Sequence, residues 1–368
     1  MNNKDVNTAR PNRRPRVLVY GYLNVNLGDD LFFRILADRY PSVDFYVFTS
    51  LDYEQIVGRE NLHVIRRNRL NRIFASHLPY QFWFGHFDAM VYIGGSIFME
   101  RGNSGACTTT RNLRKFHKAF PHIPIHIIGS NYGPEQTAEF RKEVQNIFEF
   151  AESVCMRDTF SYNLFASSPR ISCAPDVVFS MSDAAPAATR ESAATLSIID
   201  LNYRPALARY TKQYEALMTR ITEQHLERGE RVRLVSFCRA EGDVRACERI
   251  VNQISHKNSS AVEIVSYDGN IDHLLECLRS ASVLYATRFH ATILGVLFRV
   301  PTVPVIYSDK TRHTLDDMGW TGATLDLRQP APDVESLQPH IINAERLTEL
   351  RKNAHNQFAW LDKTLLAL

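Results

Sequence analysis

Arg288 and His290 stand two positions apart where the hydrophobic run Ser282–Ala286 ends and an apolar helical stretch begins. Arginine presents a planar fork that fits phosphate or carboxylate, and a helix start adds a positive pole. Histidine is the side chain best matched to proton transfer near neutral pH. A histidine at a helix start is more often a cap or a surface residue. Its neighbour Arg288, at the carboxyl edge of a strand, turns the reading towards anion binding and acid–base work. Tyr307-Ser-Asp309-Lys310 ends the next strand and brings a further cation close.

Other strand ends carry chemistry of the same kind. Gly21–Asp30 contains Asn26-Leu-Gly28-Asp29-Asp30, which serves as a helix cap and tight turn or, through two adjacent carboxylates, as a base for a hydroxyl group. Gly94-Gly95-Ser96 and Gly129–Pro134 are turns that need glycine or places where a ligand approaches the backbone. In Arg157-Asp158-Thr-Phe-Ser161, Asp158 reads as a cap and the Arg–Asp pair as a simple salt bridge. Pro175-Asp176 reads as a turn that leads out of the domain.

The elements that position these residues alternate between strands and helices. Strands are expected at 16–21, 44–49, 62–65, 87–94, 123–129, 154–156 and 171–174, with a helix from Leu31 to Tyr40. After a small, Pro-containing stretch the rhythm restarts at Thr195, with strands ending near 200, 237, 267, 286, 307 and 327. A disordered basic N-terminus (1–15) is followed by a Rossmann-like domain (16–183), a linker (184–194), a second Rossmann-like domain (195–343) and a trailing helix (344–368). The expected fold class is α/β and GT-B-like, with two such domains facing each other across a cleft. Ligands bind outside the carboxyl ends of such strands.

The 368 residues suit two domains of ~100–200 residues each. With 43 basic and 40 acidic residues the net charge is only +3, so no nucleic-acid partner is expected. Arginines at 10, 13, 14 and 16 and at 66, 67, 69 and 72 form two basic runs. The aromatic stretch His77–Phe87 follows the second run and reads as core or as a membrane-facing lip. The six cysteines are scattered without a CxxC pair, and no secretory signal or ~18-residue apolar span is visible. The expected location is cytoplasmic, with peripheral contact at the inner membrane face. No residue cluster has metal-ligand spacing, so neither a metal nor another cofactor is expected.

Taken in order, Asn26-Leu-Gly28-Asp29, Gly94-Gly95, Gly129–Pro134, Arg157–Ser161, Pro175-Asp176, Arg288–His290 and Tyr307–Lys310 resemble the motifs of the polysaccharide pyruvyl transferase family. The resemblance implies a transferase with phosphoenolpyruvate as donor and a sugar, or a lipid-linked glycan, as acceptor of the pyruvyl ketal. It implies that Arg288, Phe289, His290, Arg157 and Lys310 lie on the donor, with Asn26, Gly94 and Gly95 lining the substrate site. His290 is then the acid, or a phosphate ligand as imidazolium, and Asp29 or Asp30 orients or deprotonates the acceptor. Arg288 is expected to be a cleft residue whose loss spares the fold. Ser96 departs from a third glycine that the family often shows. The alternatives are a nucleotide-sugar glycosyltransferase, with Glu241 or Asp243 as its ribose carboxylate, and a non-catalytic polysaccharide-binding protein.

Overall fold

Runs of β-branched and aliphatic residues that are buried along their whole length make strands covered on both faces, as parallel sheets require. The computed structural model describes residues 13–66, 87–100, 108–187, 189–255, 259–329, 334, 335 and 337–368. One sheet contains β1 (Arg16–Tyr20), β2 (Asp44–Thr49), β3 (Leu62–Arg66), β4 (Ala89–Ile93), β5 (Ile125–Ser130), β6 (Ser153–Met156) and β7 (Ile171–Cys173). The other contains β8 (Ala193–Ile198), β9 (Arg231–Ser236), β10 (Val262–Ser266), β11 (Val283–Ala286), β12 (Thr302–Ile306) and β13 (Leu325–Asp326). Their spatial orders are β3-β2-β1-β4-β5-β6-β7 and β10-β9-β8-β11-β12-β13. Every neighbouring pair runs parallel. Each order reverses beside its first strand, between β1 and β4 and between β8 and β11, which is where open parallel sheets form a ligand crevice.

The helices of the first unit are α1 (Leu27–Arg39), α2 (Tyr53–Val57), α3 (Thr108–Ala119), α4 (Ala138–Phe150) and α5 (Thr159–Asn163). Those that follow are α6 (Thr211–Glu227), α7 (Asp243–Val251), α8 (Ile271–Arg279), α9 (Phe289–Leu297), α10 (Asp309–Met318), α11 (Ala344–Ala354) and α12 (Ala359–Leu366). One apolar cluster belongs to the first sheet, around Leu18, Met90, Phe140 and Val154. A second belongs to the other sheet, around Leu196, Met218 and Leu234. A third joins the two units through Leu31 and Phe32 of α1, Val177–Phe179, Ile293 and Leu294 of α9, and Leu350 of α11.

Several extents differ from the sequence expectation. Helix α1 begins at Leu27 rather than Leu31, because the Asn26 side chain caps it by accepting from the Gly28 N–H at 3.2 Å. Gly28, Asp29 and Asp30 therefore sit on the first helical turn and not in a loop. Strand β8 starts at Ala193, inside the stretch read as linker. The trailing segment is two helices separated by a 3₁₀ turn at His355–Phe358. Its first helix stays tied to the second unit, where Arg346 donates to the Met318 and Asp317 carbonyls, and the segment then crosses back to the first unit. There the buried Gln357 accepts from the Gly129 N–H (2.9 Å) and turns its amide nitrogen to the carbonyls of Met156, Ala174 and Pro175. Asp362 accepts from Arg39 at 2.6 Å and from the Tyr40 hydroxyl at 2.7 Å.

Of the first basic run, Arg13 pairs with Asp88, Arg14 with Asp44, and Arg16 opens β1, so these residues are tied to the sheet. Arg67, Arg69 and Arg72 and the aromatic stretch up to residue 86 lie outside the described residues; Phe87 is buried. Among the described residues no helix is long and apolar enough to cross a membrane.

Replacing Gln357 with alanine would take this partner from the buried Gly129 N–H and from the Ala174 and Pro175 carbonyls at once. Each group left without a partner costs ~1–3 kcal/mol, so Gln357→Ala is expected to lower the denaturation midpoint clearly in a urea titration. A midpoint equal to that of the wild type would show that the returning segment does not brace the first sheet.

Candidate active site

The starts of α1 and α9, one from each unit, meet at the junction of the two sheets. The His290 ring lies against the Gly28 backbone so closely that a Cβ on residue 28 would overlap His290 Nδ1. Phe32 and Phe289 meet the ring edge-on, each at 5.2 Å between centroids. His290 Nε2 is buried without a hydrogen-bond partner among the described residues and lies 4.0 Å from Asp176 Oδ2. Burial, reinforced by the positive charges of Arg157, Lys310 and Arg288, holds the imidazole pKa well below its ordinary value. That direction favours the neutral ring.

Arg288 is the N-cap residue of α9 and is only 6% exposed. Its guanidinium grips Asp243 side-on with bonds of 2.5–2.9 Å, and Nη1 donates to Glu241 at 2.7 Å. Arg204 and the Tyr22 hydroxyl donate to the same Glu241 carboxylate. Although burial opposes it, the charges of Arg288 and Arg204 hold the Glu241 pKa down to about 2. Arg288 is therefore not the loosely held cleft residue read from the sequence. Its fork is filled from within its own unit, and it is part of that unit's buried charge network.

Arg157 follows β6 and is also buried. Its Nη1 donates to Asp176 (3.0 Å), its Nη2 to Asn131 Oδ1 (2.6 Å), and its Nε has no partner among the described residues. The guanidinium lies over the Phe289 ring, 4.0 Å from its centroid. Gly95 makes room for it, since a Cβ there would collide with the guanidinium, and Gly94 adopts a positive φ of 154° just before it. Lys310, on the first turn of α10, donates to Ser96 Oγ at 3.0 Å and has no acidic partner within ion-pair distance among the described residues. Burial, with Arg157 and Arg204 adding to it, lowers the Lys310 pKa.

The neighbouring carboxyls Asp29 and Asp30 have different surroundings. Asp30 is fully buried and accepts from Tyr53 (2.8 Å) in one unit and Tyr267 (2.9 Å) in the other. Burial raises its pKa to about 7 against the pull of those two bonds. Asp29 is half-buried, and no hydrogen bond to it is found among the described residues. Burial, then the charges of Asp30 and Glu241, lift its carboxyl to about 8. Asn26 spends its side-chain oxygen on the α1 cap.

The structure thus gathers His290, Arg157, Lys310, Phe289, Gly95 and the first turn of α1 about one junction, and sets Arg288 and Asp30 behind it. Sequence reading passed over Asp176, Asn131 and Ser96 as site residues. Asp176 looked like a turn residue, yet it is buried, pairs with Arg157, and has its pKa raised by that burial. The available signal was its place at a strand end on the same sheet edge as Arg157. Among the described residues no group of three His, Cys, Asp or Glu side chains is placed to hold a metal ion.

Residues 26–309 match the family model described as polysaccharide pyruvyl transferase. The amylovoran biosynthesis protein AmsJ of Erwinia amylovora is 22% identical over 282 residues, covering 70% of this chain and 64% of that protein's length. Among solved structures, Anabaena Alr3699/HepE, crystallised with UDP and glucose, superposes with a TM-score of 0.57 at 11% identity, covering 96% of this chain and 100% of that one. The Methanocaldococcus jannaschii UDP-GlcNAc 2-epimerase gives 0.54 at 9% identity, with 92% of each chain covered. At such identities the likeness is one of fold, and the fold is GT-B-like.

Two substitutions test this geometry. Arg288→Ala would leave Asp243 and Glu241 buried without their cation, which typically costs ~3–5 kcal/mol, so the variant should unfold at a markedly lower urea concentration. Unchanged stability would mean that Arg288 is not the keystone of that network. Gly28→Ala favours the helix by ~1 kcal/mol from propensity alone but forces His290 aside. The expected outcome is a folded protein whose His290-dependent activity is lost, and full activity would refute the close approach.

Proposed function

The chain belongs to the polysaccharide pyruvyl transferase family, and on that footing we propose that it moves the pyruvyl group of phosphoenolpyruvate onto a hydroxyl pair of a sugar in a cell-surface polysaccharide or its lipid-linked precursor. The observation that carries this reading is the cluster of Arg157, Lys310 and His290 at the junction. Among the described residues Lys310 has no acidic partner within reach there, and Arg157 Nε and His290 Nε2 have no hydrogen-bond partner. A small donor bearing both a phosphate and a carboxylate matches such a site.

In the proposed reaction His290 protonates the methylene carbon of the donor, which leaves cationic character on the adjacent carbon. A sugar hydroxyl attacks that carbon and gives its proton to Asp29. Phosphate then leaves, and the second hydroxyl closes the ketal as its proton passes to the phosphate. A carboxyl with a pKa of about 8 is well matched to accept a hydroxyl proton near neutrality. Asp30, satisfied by two tyrosines, instead fixes the first turn of α1. Arg288 supports the site through α9 and through its charge.

His290 can act as the acid only if it gains a proton, and the cations around it explain when that happens. Burial is the first cause that depresses the imidazole; an anionic donor beside Lys310 and Arg157 offsets the second, their positive charge, and so raises its pKa. The nucleotide-sugar alternative is disfavoured because Glu241 and Asp243, its ribose-binding candidates, are engaged by Arg288. A membrane-facing role, with a peripheral location at the inner face, remains attached to the basic and aromatic stretch outside the described residues.

The direct test is acceptor-dependent phosphate release from phosphoenolpyruvate, with His290→Gln expected to turn over ~10²–10⁴ times more slowly. Calorimetry of phosphoenolpyruvate binding at pH 7 in buffers of different ionisation enthalpy should show proton uptake, and His290→Gln should abolish it. Binding without uptake would make His290 something other than the acid. If Asp29 is the base, kcat/KM should rise as pH increases through about 8, and Asp29→Asn should remove that limb.

A further inference from the structure

Asn131 follows β5 and is 1% exposed. The hydrogen bonds around it fix which way its amide faces. Arg157 can only donate, so Asn131 must turn its oxygen to Arg157 Nη2, 2.6 Å away. Lys310 can likewise only donate, so Ser96 Oγ accepts from Lys310 at 3.0 Å and its own hydrogen is free for Asn131 Oδ1 at 3.2 Å. Both bonds converge on the oxygen. The amide nitrogen is turned away, buried, with two hydrogens and no partner among the described residues.

A buried amide donor is rarely left unsatisfied. This one is also not isolated. Arg157 Nε is a second buried donor without a partner among the described residues, and His290 Nε2, donor or acceptor according to its tautomer, is buried and unpartnered 4.0 Å from Asp176, the other acceptor of Arg157. Unmet donors next to cations call for a ligand rich in oxygen acceptors and negative charge.

We propose that Asn131 is a donor-binding residue whose amide nitrogen hydrogen-bonds an oxygen of phosphoenolpyruvate, and that Ser96 is the positioning residue that locks the amide in that orientation. The proposal rests on the functional reading above for the identity of the anion. It gives the serine a purpose where the family often has glycine. The hydroxyl joins Lys310 of the second unit to Asn131 and Arg157 of the first, so that donors from both units are set before the ligand arrives.

The rival role is a brace that only steadies Arg157, and the Asn131→Asp variant separates the two. A carboxylate in place of the amide would keep, and strengthen, the contact to Arg157 while replacing the free N–H₂ with an oxygen. Calorimetry of phosphoenolpyruvate binding should give a ~10–100-fold weaker Kd for Asn131→Ala, the range of one hydrogen bond to a charged group, and a weaker one still for Asn131→Asp. Ser96→Ala should weaken binding ~3–10-fold, a smaller loss because the amide and its contact to Arg157 remain. Ser96→Thr, which keeps the hydroxyl, should restore it. Asn131→Asp binding as tightly as wild type, or tighter than Asn131→Ala, would overturn the proposal, as would an unaltered Kd in a folded Asn131→Ala protein. If wild type failed to bind phosphoenolpyruvate, the functional reading would fall. The same variants titrated with inorganic phosphate would then decide whether Asn131 is an anion ligand, and no phosphate binding by wild type would overturn that as well.

Discussion

A histidine ring pressed onto a glycine backbone across two structural units sets the dimensions of this site. Because Gly28 has no side chain, the start of α1 and the start of α9 approach within contact distance through His290. Both helices therefore direct their positive poles towards one junction. The carboxyl edges of two sheets, each with its own switch point, thereby meet at one junction. Gly95 plays a parallel part by admitting the Arg157 guanidinium against the backbone that follows β4. In both places a missing Cβ lets a charged or titratable group come from elsewhere in the fold.

Gathering cations in a partly dry space raises an electrostatic problem, and the protein solves it unevenly. Arg288 is balanced by two carboxylates within its own unit, and Arg157 by Asp176. Among the described residues Lys310 has only a serine hydroxyl to donate to. Its positive charge and those of the arginines depress the pKa of His290 and also that of Tyr307, where they outweigh burial. Balanced arginines give a rigid frame, whereas Lys310 keeps a charge with no carboxylate within ion-pair distance among the described residues. The basic side chains thus differ chiefly in the number of carboxylates nearby.

What was legible in the sequence was what local physics controls. The strand–helix rhythm gave two parallel sheets, since each strand carries its own pattern and each turn its own glycine or cap. The positions of Arg157, His290 and Lys310 at strand ends follow from that rhythm. Their partners do not follow from it. Glu241 and Asp243 reach Arg288 from the turn and helix start that follow β9, and Asp176 reaches Arg157 past an intervening helix and strand. The capping of α1 by Asn26 was visible as a residue type, but its consequence, that two carboxyls share a helical turn with contrasting surroundings, needed the tertiary structure. The return of the last segment was hidden for the same reason: Gln357 is one polar residue in a helical pattern, and nothing local marks it as the partner of three strand-end loops.

The contrast between Asp29 and Asp30 carries the relation between frame and chemistry furthest. Successive residues on a helix point about a quarter-turn apart, so one can be half-buried while the other is fully buried. Asp30 uses that burial to accept one tyrosine from each unit, which fixes α1 relative to the second sheet. Asp29 is thereby held at the junction on a turn that cannot rotate without breaking both bonds. Its raised pKa depends partly on the negative charge of Asp30 beside it. The fully buried residue therefore both positions its half-buried neighbour and raises that neighbour's affinity for a proton, so that support and a proton-binding carboxyl lie in adjacent residues of one helix start.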